Sequence, residues 1–120
     1  MAISFFFRKP KFPIICDFDG YVVAAKSLGG FSAELSKVEF AGDAHFPVID
    51  ISGEGWVFSP KYSMISPITA KKRWTKKEVI AIFNNRKNNH SGMSYSEKSL
   101  SAKRFDRIFQ DIVVLLMKRS

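Results

Sequence analysis

The pattern of apolar and polar positions divides the chain into two regions. Up to about Thr69, short apolar runs alternate with turn residues, which is typical of β-strands. Residues 12–18 and 21–25 are two such runs, separated by Asp19-Gly20. Because both central residues of a type I′ turn need positive φ, and Asp-Gly meets that need, this segment predicts a β-hairpin.

Further strand signals follow in this first region. Residues 46–51 and 56–58 are apolar runs on either side of the Gly-rich segment 52–55, which predicts a second hairpin. Val38 and Phe40 alternate with charged residues, as expected of a half-buried strand.

The second region has helical spacing. Thr75 and Glu78 form a capping-box pattern, in which each side chain accepts a hydrogen bond from the other residue's amide. Trp74 and Val79 occupy the positions of a hydrophobic staple across the same helix start. Lys76 is therefore predicted to be the first residue of a helix.

A final helix is predicted from about Glu97 to Lys118. Its apolar stripe consists of Phe105, Ile108, Phe109, Ile112 and Leu116. Residues 112–117 are apolar on every side, which is more than a helix with one buried face needs. The excess is either core or the contact surface of a homodimer that forms through the C-terminal helix.

The N-terminal segment carries a second apolar patch, made of Ile3, Phe5, Phe6 and Phe7. In one interpretation the segment is a strand or helix that covers the last helix, so that both are core. In the other interpretation the patch is exposed and forms an interface with a partner.

Together these elements predict an α+β fold, with an antiparallel sheet of four to six strands, in one form strongly curled, and two C-terminal helices packed on one face. A small barrel capped by helices is the alternative. The length of 120 residues predicts a single domain, 1–120, in which residues 1–69 are mainly β and residues 70–120 mainly α.

Several chemistries have little support in the sequence. Cys16 is the only cysteine and lies in an apolar run, so we expect it in the core rather than in a disulfide. We expect no secretory signal and no membrane span, and a cytoplasmic location, because the apolar runs are short.

The two histidines, His45 and His90, lie in turn-like segments, and no spacing with Asp17, Asp43 or Asp50 indicates a metal site. Neither a metal nor a cofactor is predicted.

One segment carries a resemblance. Residues 14–23 read Ile-Ile-Cys-Asp-Phe-Asp-Gly-Tyr-Val-Val, which resembles the first motif of the haloacid-dehalogenase-like phosphatases. The resemblance implies a doubly wound parallel sheet, with Asp17 as nucleophile and Asp19 as general acid/base. Tyr21 stands where that family prefers Thr or Val, and the rest of the chain lacks alternating strands and helices.

The net charge of +8 is unevenly distributed along the chain. Residues 1–60 contain five Lys/Arg against seven Asp/Glu, a net charge of −2. Residues 61–120 contain 14 against four, a net charge of +10. A basic second half indicates an acidic partner: nucleic acid, an anionic membrane or an acidic protein surface.

The candidate site is the segment Lys71-Lys72-Arg73-Trp74-Thr75-Lys76-Lys77, which has five cations within seven residues at the predicted helix start. A cation at a helix N-terminus is unfavourable by about 0.3–1 kcal/mol, so the cluster favours a functional role. Lysines beside open helix amides would bind phosphate or carboxylate, and Trp74 could stack on a base. In the alternative interpretation, Trp74 is only the staple and the lysines are only solvated.

Three functions are compatible with these observations. The first is a small non-catalytic interaction protein, of inhibitor, immunity or accessory type, whose basic C-terminal half docks an acidic macromolecular surface, above all another protein. The second is a sequence-tolerant nucleic-acid-binding protein that uses Lys71–Lys77, with backbone contact favoured because Lys outnumbers Arg. The third is a small hydrolase that uses Asp17 and Asp19.

Overall fold

The computed structural model of the chain describes residues 3–39, 43–68, 73–89 and 92–118, which form an α+β fold around one sheet. Its strands are β1 (Ser4–Phe5), β2 (Ile14–Phe18), β3 (Tyr21–Ala25), β4 (Phe46–Asp50), β5 (Gly55–Ser59) and β6 (Met64–Pro67). The spatial order is β1-β6-β5-β4-β2-β3, in which β1 is parallel to β6 and all other neighbours are antiparallel. The α+β prediction is confirmed; the sheet is open, so the barrel alternative is wrong.

Helices cover both faces of this sheet. The described residues form α1 (Leu28–Leu35), α2 (Lys76–Asn84), α3 (Ser99–Ala102) and α4 (Phe105–Met117), with a short 3₁₀ helix at Pro60–Tyr62. As predicted, α2 and α4 pack together on one face, and α1 adds a layer on the other. The predicted final helix is interrupted before Phe105, where Arg104 is the N-cap of α4. No helix in the described ranges has the length and hydropathy needed to cross a membrane.

The apolar runs of the strands follow from burial on both faces. In β2, Ile14 and Cys16 pack under α1, whereas Ile15 between them packs under α2 and α4. A strand with two buried faces needs no polar alternation. Cys16 is therefore core, as predicted, and has no exposed surface.

The β2–β3 turn has the predicted conformation. Asp19 has φ 53° and Gly20 has φ 102°, the positive values that a type I′ turn needs. On the other side of β2, pairing with β4 ends at Cys16 and Val48. The next residue of β4 is Pro47, which has no N–H to extend the ladder.

Helix α1 was not predicted from the sequence. Ser27 caps it, since its Oγ accepts from the amide of Gly30 at 3.1 Å, and Phe31 and Leu35 are buried. Gly29 and Gly30 lower the helix propensity of the first turn, which concealed the spacing of the buried residues.

The predicted strand around Val38 and Phe40 is wrong at Val38. Its amide donates to Leu35 O at 3.2 Å and so closes the turn after α1. Phe40 lies outside the described residues. An alternation of two apolar positions is too short to distinguish a strand from the end of a helix.

The N-terminal segment does not cover the last helix. Ile3 and Phe5 pack against the core on the α1 face, because β1 joins the sheet at its β6 edge. The interpretation that this segment covers the C-terminal helix is therefore wrong. Phe6 and Phe7, which follow β1, are exposed.

Candidate anion-binding surface

Helix α2 begins where the capping pattern predicts. The hydroxyl of Thr75 accepts from the amide of Glu78 at 3.2 Å, and the Glu78 carboxylate accepts from the amide of Thr75 at 2.9 Å. Trp74 is half-buried and packs, like Val79, against the core on the α2–α4 face. The staple interpretation of Trp74 accounts for this placement, and it leaves less of the indole open for stacking on a base.

Arg73 fastens the segment before α2 to the β4–β5 turn. Its guanidinium donates to Ser52 O at 2.6 Å, and its backbone forms an isolated antiparallel bridge with Glu54. The amide of Trp74 donates to Gly53 O at 2.7 Å. The position of Arg73 is thus set by tertiary contacts and not by the helix start alone.

The other cations of the predicted cluster differ in their surroundings. Lys76 is half-buried, and its Nζ donates to Leu100 O at 3.0 Å, next to α3. Lys77 is exposed in the first turn of α2. Lys71 and Lys72 lie outside the described residues. The structure therefore places Arg73, Lys76 and Lys77 near one helix start but directs Arg73 and Lys76 to carbonyl groups of the chain itself.

The β4–β5 turn is organised by a buried carboxylate. Asp50 is 1% exposed. Its two oxygens accept five hydrogen bonds, from the amides of Lys11, Ser52 and Glu54, the hydroxyl of Ser52 and the indole N–H of Trp56. Such a carboxylate fixes the backbone around it, because each donor would otherwise be left unsatisfied.

Arg8 reaches the same turn from the N-terminal segment. Its guanidinium binds both carboxylate oxygens of Glu54, and it lies over the ring of Trp56, 4.9 Å from the centroid. The hydrogen bond from Arg8 lowers the pKa of Glu54, burial opposes this shift, and the charges of Arg8, Arg73 and Lys11 lower the pKa further. Arg8 thus pairs directly with this carboxylate, while Arg73, from a separate segment, acts on it through its charge although its guanidinium binds Ser52 O.

We call Arg8, Lys11 and Arg73 with Glu54 the Glu54 cluster. Arg8 and Lys11 come from the segment between β1 and β2, and Arg73 comes from the segment before α2. All three cations are exposed, and Lys9 is exposed beside them. Three positive charges therefore lie near one surface carboxylate, which leaves this group of side chains with a net positive charge.

Sequence reasoning missed Arg8 and Lys11 as members of this surface. Their half of the chain carries a net charge of −2, which concealed a local group of cations. The signal that was available is the short basic run Arg8, Lys9 and Lys11 itself. Glu54, the partner of Arg8, could not be identified without the β1–β6 pairing.

The residues of the phosphatase-like motif lie in the first hairpin. Asp17 Oδ1 accepts from the amide of Gly20 at 2.6 Å, and Asp19 is exposed in the turn. Strand β2 is antiparallel to both of its neighbours, β3 and β4. The doubly wound parallel sheet that the resemblance implies is therefore not the fold of this chain.

Other polar groups have local partners. His45 is exposed, with Nδ1 3.0 Å from Ser59 Oγ, and Asp43 forms an exposed ion pair of 3.2 Å with Lys61. His90 lies outside the described residues. In the part of the chain that the structure describes, no three His, Cys, Asp or Glu side chains are grouped closely enough to hold a metal ion.

Comparisons with known proteins found no match for this chain among family models, curated proteins or solved structures.

Proposed function

We propose that this chain is a non-catalytic binding protein that docks an acidic macromolecular surface, and we favour an acidic protein as the partner. The observation that carries the proposal is the Glu54 cluster, in which Arg8 pairs with Glu54 while Arg73, held by Ser52 O, and Lys11 lie near enough for their charges to lower the pKa of that carboxyl. Lys77, four residues after Arg73, adds an exposed cation in the first turn of α2. A cytoplasmic location belongs to the same proposal and is supported only by the single, unpaired Cys16.

The fixed positions of the two arginines support a protein partner. Arg8 is held by Glu54 and the Trp56 ring, and Arg73 by Ser52 O. Side chains that are ordered before binding lose less conformational entropy on association. Arginine is also the cation that best matches carboxylate geometry and is enriched at energetically important interface positions.

The nucleic-acid alternative has less support from the geometry. It assigns base stacking to Trp74, but that side chain is half-buried against the core. It also assigns phosphate contacts to Lys71–Lys77, in which Lys76 is half-buried and donates to Leu100 O, unlike the exposed Arg73 and Lys77. Nucleic acid therefore enters the experiment below as a competing outcome.

The test compares tagged wild-type protein with two double variants in pull-downs from native lysate, with and without nuclease. Arg73→Glu with Lys77→Glu reverses charge on the proposed surface. Lys61→Glu with Lys87→Glu makes the same change in net charge at the opposite end of the sheet, and both lysines are exposed. Proteins that are retained by wild type and control after nuclease treatment are identified by mass spectrometry and purified for direct binding measurements.

We expect an acidic protein that binds wild type and control, loses at least about ten-fold in affinity for the Arg73/Lys77 variant, and weakens with added salt. Equal binding by both double variants would exclude this surface. Capture that disappears after nuclease treatment would instead support the nucleic-acid alternative.

A homodimer through the C-terminal helix is a second interaction that we propose from the exposed side of α4. Val114 is 47% exposed and Met117 is 45% exposed, whereas Ile112, Val113 and Leu116 are buried. Analytical ultracentrifugation tests this interaction. A dimer that Val114→Lys with Met117→Lys converts to monomer would support it, and a wild-type protein that is monomeric at all concentrations would exclude it.

A further inference from the structure

The segment that follows β1 exposes two aromatic rings. Phe7 is 84% exposed and Phe6 is 45% exposed. Their ring centroids are 4.1 Å apart with a tilt of 53°, so the rings pack on each other rather than on the core. Large apolar side chains in such a position commonly belong to an interaction site.

The backbone holds Phe7 outward in an unusual conformation. The amide of Arg8 donates to Phe6 O at 2.9 Å, which makes a three-residue turn, and Phe7 at its centre has φ 69°. Bulky residues rarely adopt positive φ, and a turn of this kind is strained. Conformations of this type persist where neighbouring contacts enforce them, and they are concentrated at functional sites.

The contacts that enforce this turn lie on both sides of it. On one side, the amide of Phe6 donates to Ile65 O at 2.9 Å. On the other side, Arg8 is fixed by Glu54 and the Trp56 ring, and Pro10 is buried. We call residues 6–9 the aromatic tip; it is a projection anchored at both ends.

Cations surround the aromatic tip. Lys9 is exposed within it, and Lys11 is exposed two residues further along the chain. Arg8 is paired with Glu54, and the backbone of Arg73 forms a bridge with Glu54. An apolar projection is therefore bordered by an excess of positive charge.

We infer that the aromatic tip attaches the protein to an anionic lipid surface. Phe6 and Phe7 insert at the boundary between headgroups and acyl chains, while Lys9 and Lys11 contact anionic headgroups. One apolar anchor alone gives marginal, reversible binding, and stable attachment needs a second signal such as basic residues. Both signals occur together here, and each cation near an anionic leaflet contributes about five-fold in partitioning.

The geometry favours lipid over single-stranded nucleic acid at this site. Proteins that bind single strands combine a basic groove with ring faces on which successive bases stack. In the aromatic tip the two rings contact each other at a tilt of 53° and project from a turn. Insertion needs this projecting shape, whereas stacking of successive bases needs ring faces arranged along a groove.

The experiment is co-sedimentation of the whole chain with vesicles of phosphatidylcholine alone or with added phosphatidylserine. We expect wild type to sediment with the anionic vesicles only. The double variant Phe6→Ala with Phe7→Ala lowers the partition coefficient by roughly ten- to hundred-fold. This range corresponds to the transfer of one or both phenyl rings from water into the lipid in wild type. Lys9→Gln lowers it by about five-fold.

Two controls complete the design. Tyr62 is 64% exposed at the other end of β6, so Tyr62→Ala removes an exposed ring of similar size and leaves the partition coefficient unchanged. A cooperative thermal unfolding transition of the Phe6/Phe7 variant is the check that this variant is folded. Wild type that does not sediment with anionic vesicles, or a folded Phe6/Phe7 variant that sediments equally well, overturns the inference.

Binding of a labelled oligothymidine tests whether the aromatic tip is instead a nucleic-acid site. A labelled oligothymidine that binds wild type, binds the Phe6/Phe7 variant weakly and is not displaced by anionic vesicles would assign the aromatic tip to base stacking and overturn the lipid assignment. The tip variants leave Arg73 and Lys77 in place. The lipid inference and the proposed docking function can therefore fail independently of each other.

Discussion

Asn88 binds the edge strand β3 in the position that a further strand would occupy. Its side-chain oxygen accepts from the amide of Val22 at 3.0 Å, and its side-chain amide donates to Val22 O at 2.8 Å. One asparagine thus satisfies both outward-facing backbone groups of Val22. An uncovered edge strand would offer these groups to another chain.

Asn88→Ala should lower the free energy of unfolding by about 1–3 kcal/mol, because two partly buried backbone groups lose their partners. It should also increase aggregation, which starts from open strand edges. Urea denaturation and light scattering measure the two effects. Asn85→Ala, at the exposed C-cap of α2, is the control; if both variants unfold at the same urea concentration, the edge-capping role is refuted.

Asp50→Asn should lower the free energy of unfolding by about 2–4 kcal/mol. Asp50 Oδ1 accepts three hydrogen bonds and Oδ2 accepts two, so an amide nitrogen in either position faces buried donors. Urea denaturation followed by tryptophan fluorescence measures the change. Asp43→Asn, at an exposed carboxylate, should have almost no effect; an equally small effect at Asp50 would contradict the organising role of this side chain.

The ion pair between Arg8 and Glu54 should make stability depend on pH in the acid range. The pKa of Glu54 is lowered, first by the hydrogen bond from Arg8, so folding favours the ionised carboxylate. Its contribution is complete above the ordinary value of 4.5 and is lost as pH falls through the lower pKa of the folded state.

Urea midpoints measured from neutral pH to about pH 3 test this dependence. Glu54→Gln should flatten the decline below the ordinary glutamate pKa, whereas Glu39→Gln, at an exposed position, should leave it unchanged. A decline of the same steepness in wild type and Glu54→Gln would show that the ion pair does not contribute.

Cys16 should react with iodoacetamide only when the protein unfolds. Burial raises the pKa of its thiol well above the ordinary value, with the charge of Asp17 adding to the shift, and the side chain has no exposed surface. Thiolate is the reactive form, so both access and ionisation oppose modification. Mass spectrometry should show labelling whose rate rises with urea in step with unfolding; rapid labelling of the native protein would be inconsistent with this core position.

Local signals were sufficient for several elements. Asp19-Gly20 predicted the first hairpin, and the capping box of Thr75 and Glu78 predicted the start of α2, because each depends on residues adjacent in sequence. By contrast, Asn88 after α2 binds the backbone of Val22 far along the chain, and no local rule predicts such a partner.

The candidate site stays a prediction, and the structure adds to it residues that the sequence pattern did not single out. The segment 71–77 was identified from its cations, and Arg73 and Lys77 are exposed there. Arg8 and Lys11 were missed because distant contacts place them. Arg8 follows β1, which pairs with β6 60 residues away, and the backbone of Lys11 is bonded to Asp50 and Ile51. Pairing between distant segments depends on the packing of the whole sheet rather than on local preference.

The sequence by itself determined the class of the fold, the type I′ hairpin and the start of α2, because turn conformation and capping are set by neighbouring side chains. Only the tertiary structure decided which segments share a surface. It joined an N-terminal basic run to the segment before α2, covered Val22 with Asn88 and left Phe7 exposed on a strained turn. Such contacts form when distant segments pack together, and one-dimensional patterns of hydrophobicity and charge do not encode the partner of each residue.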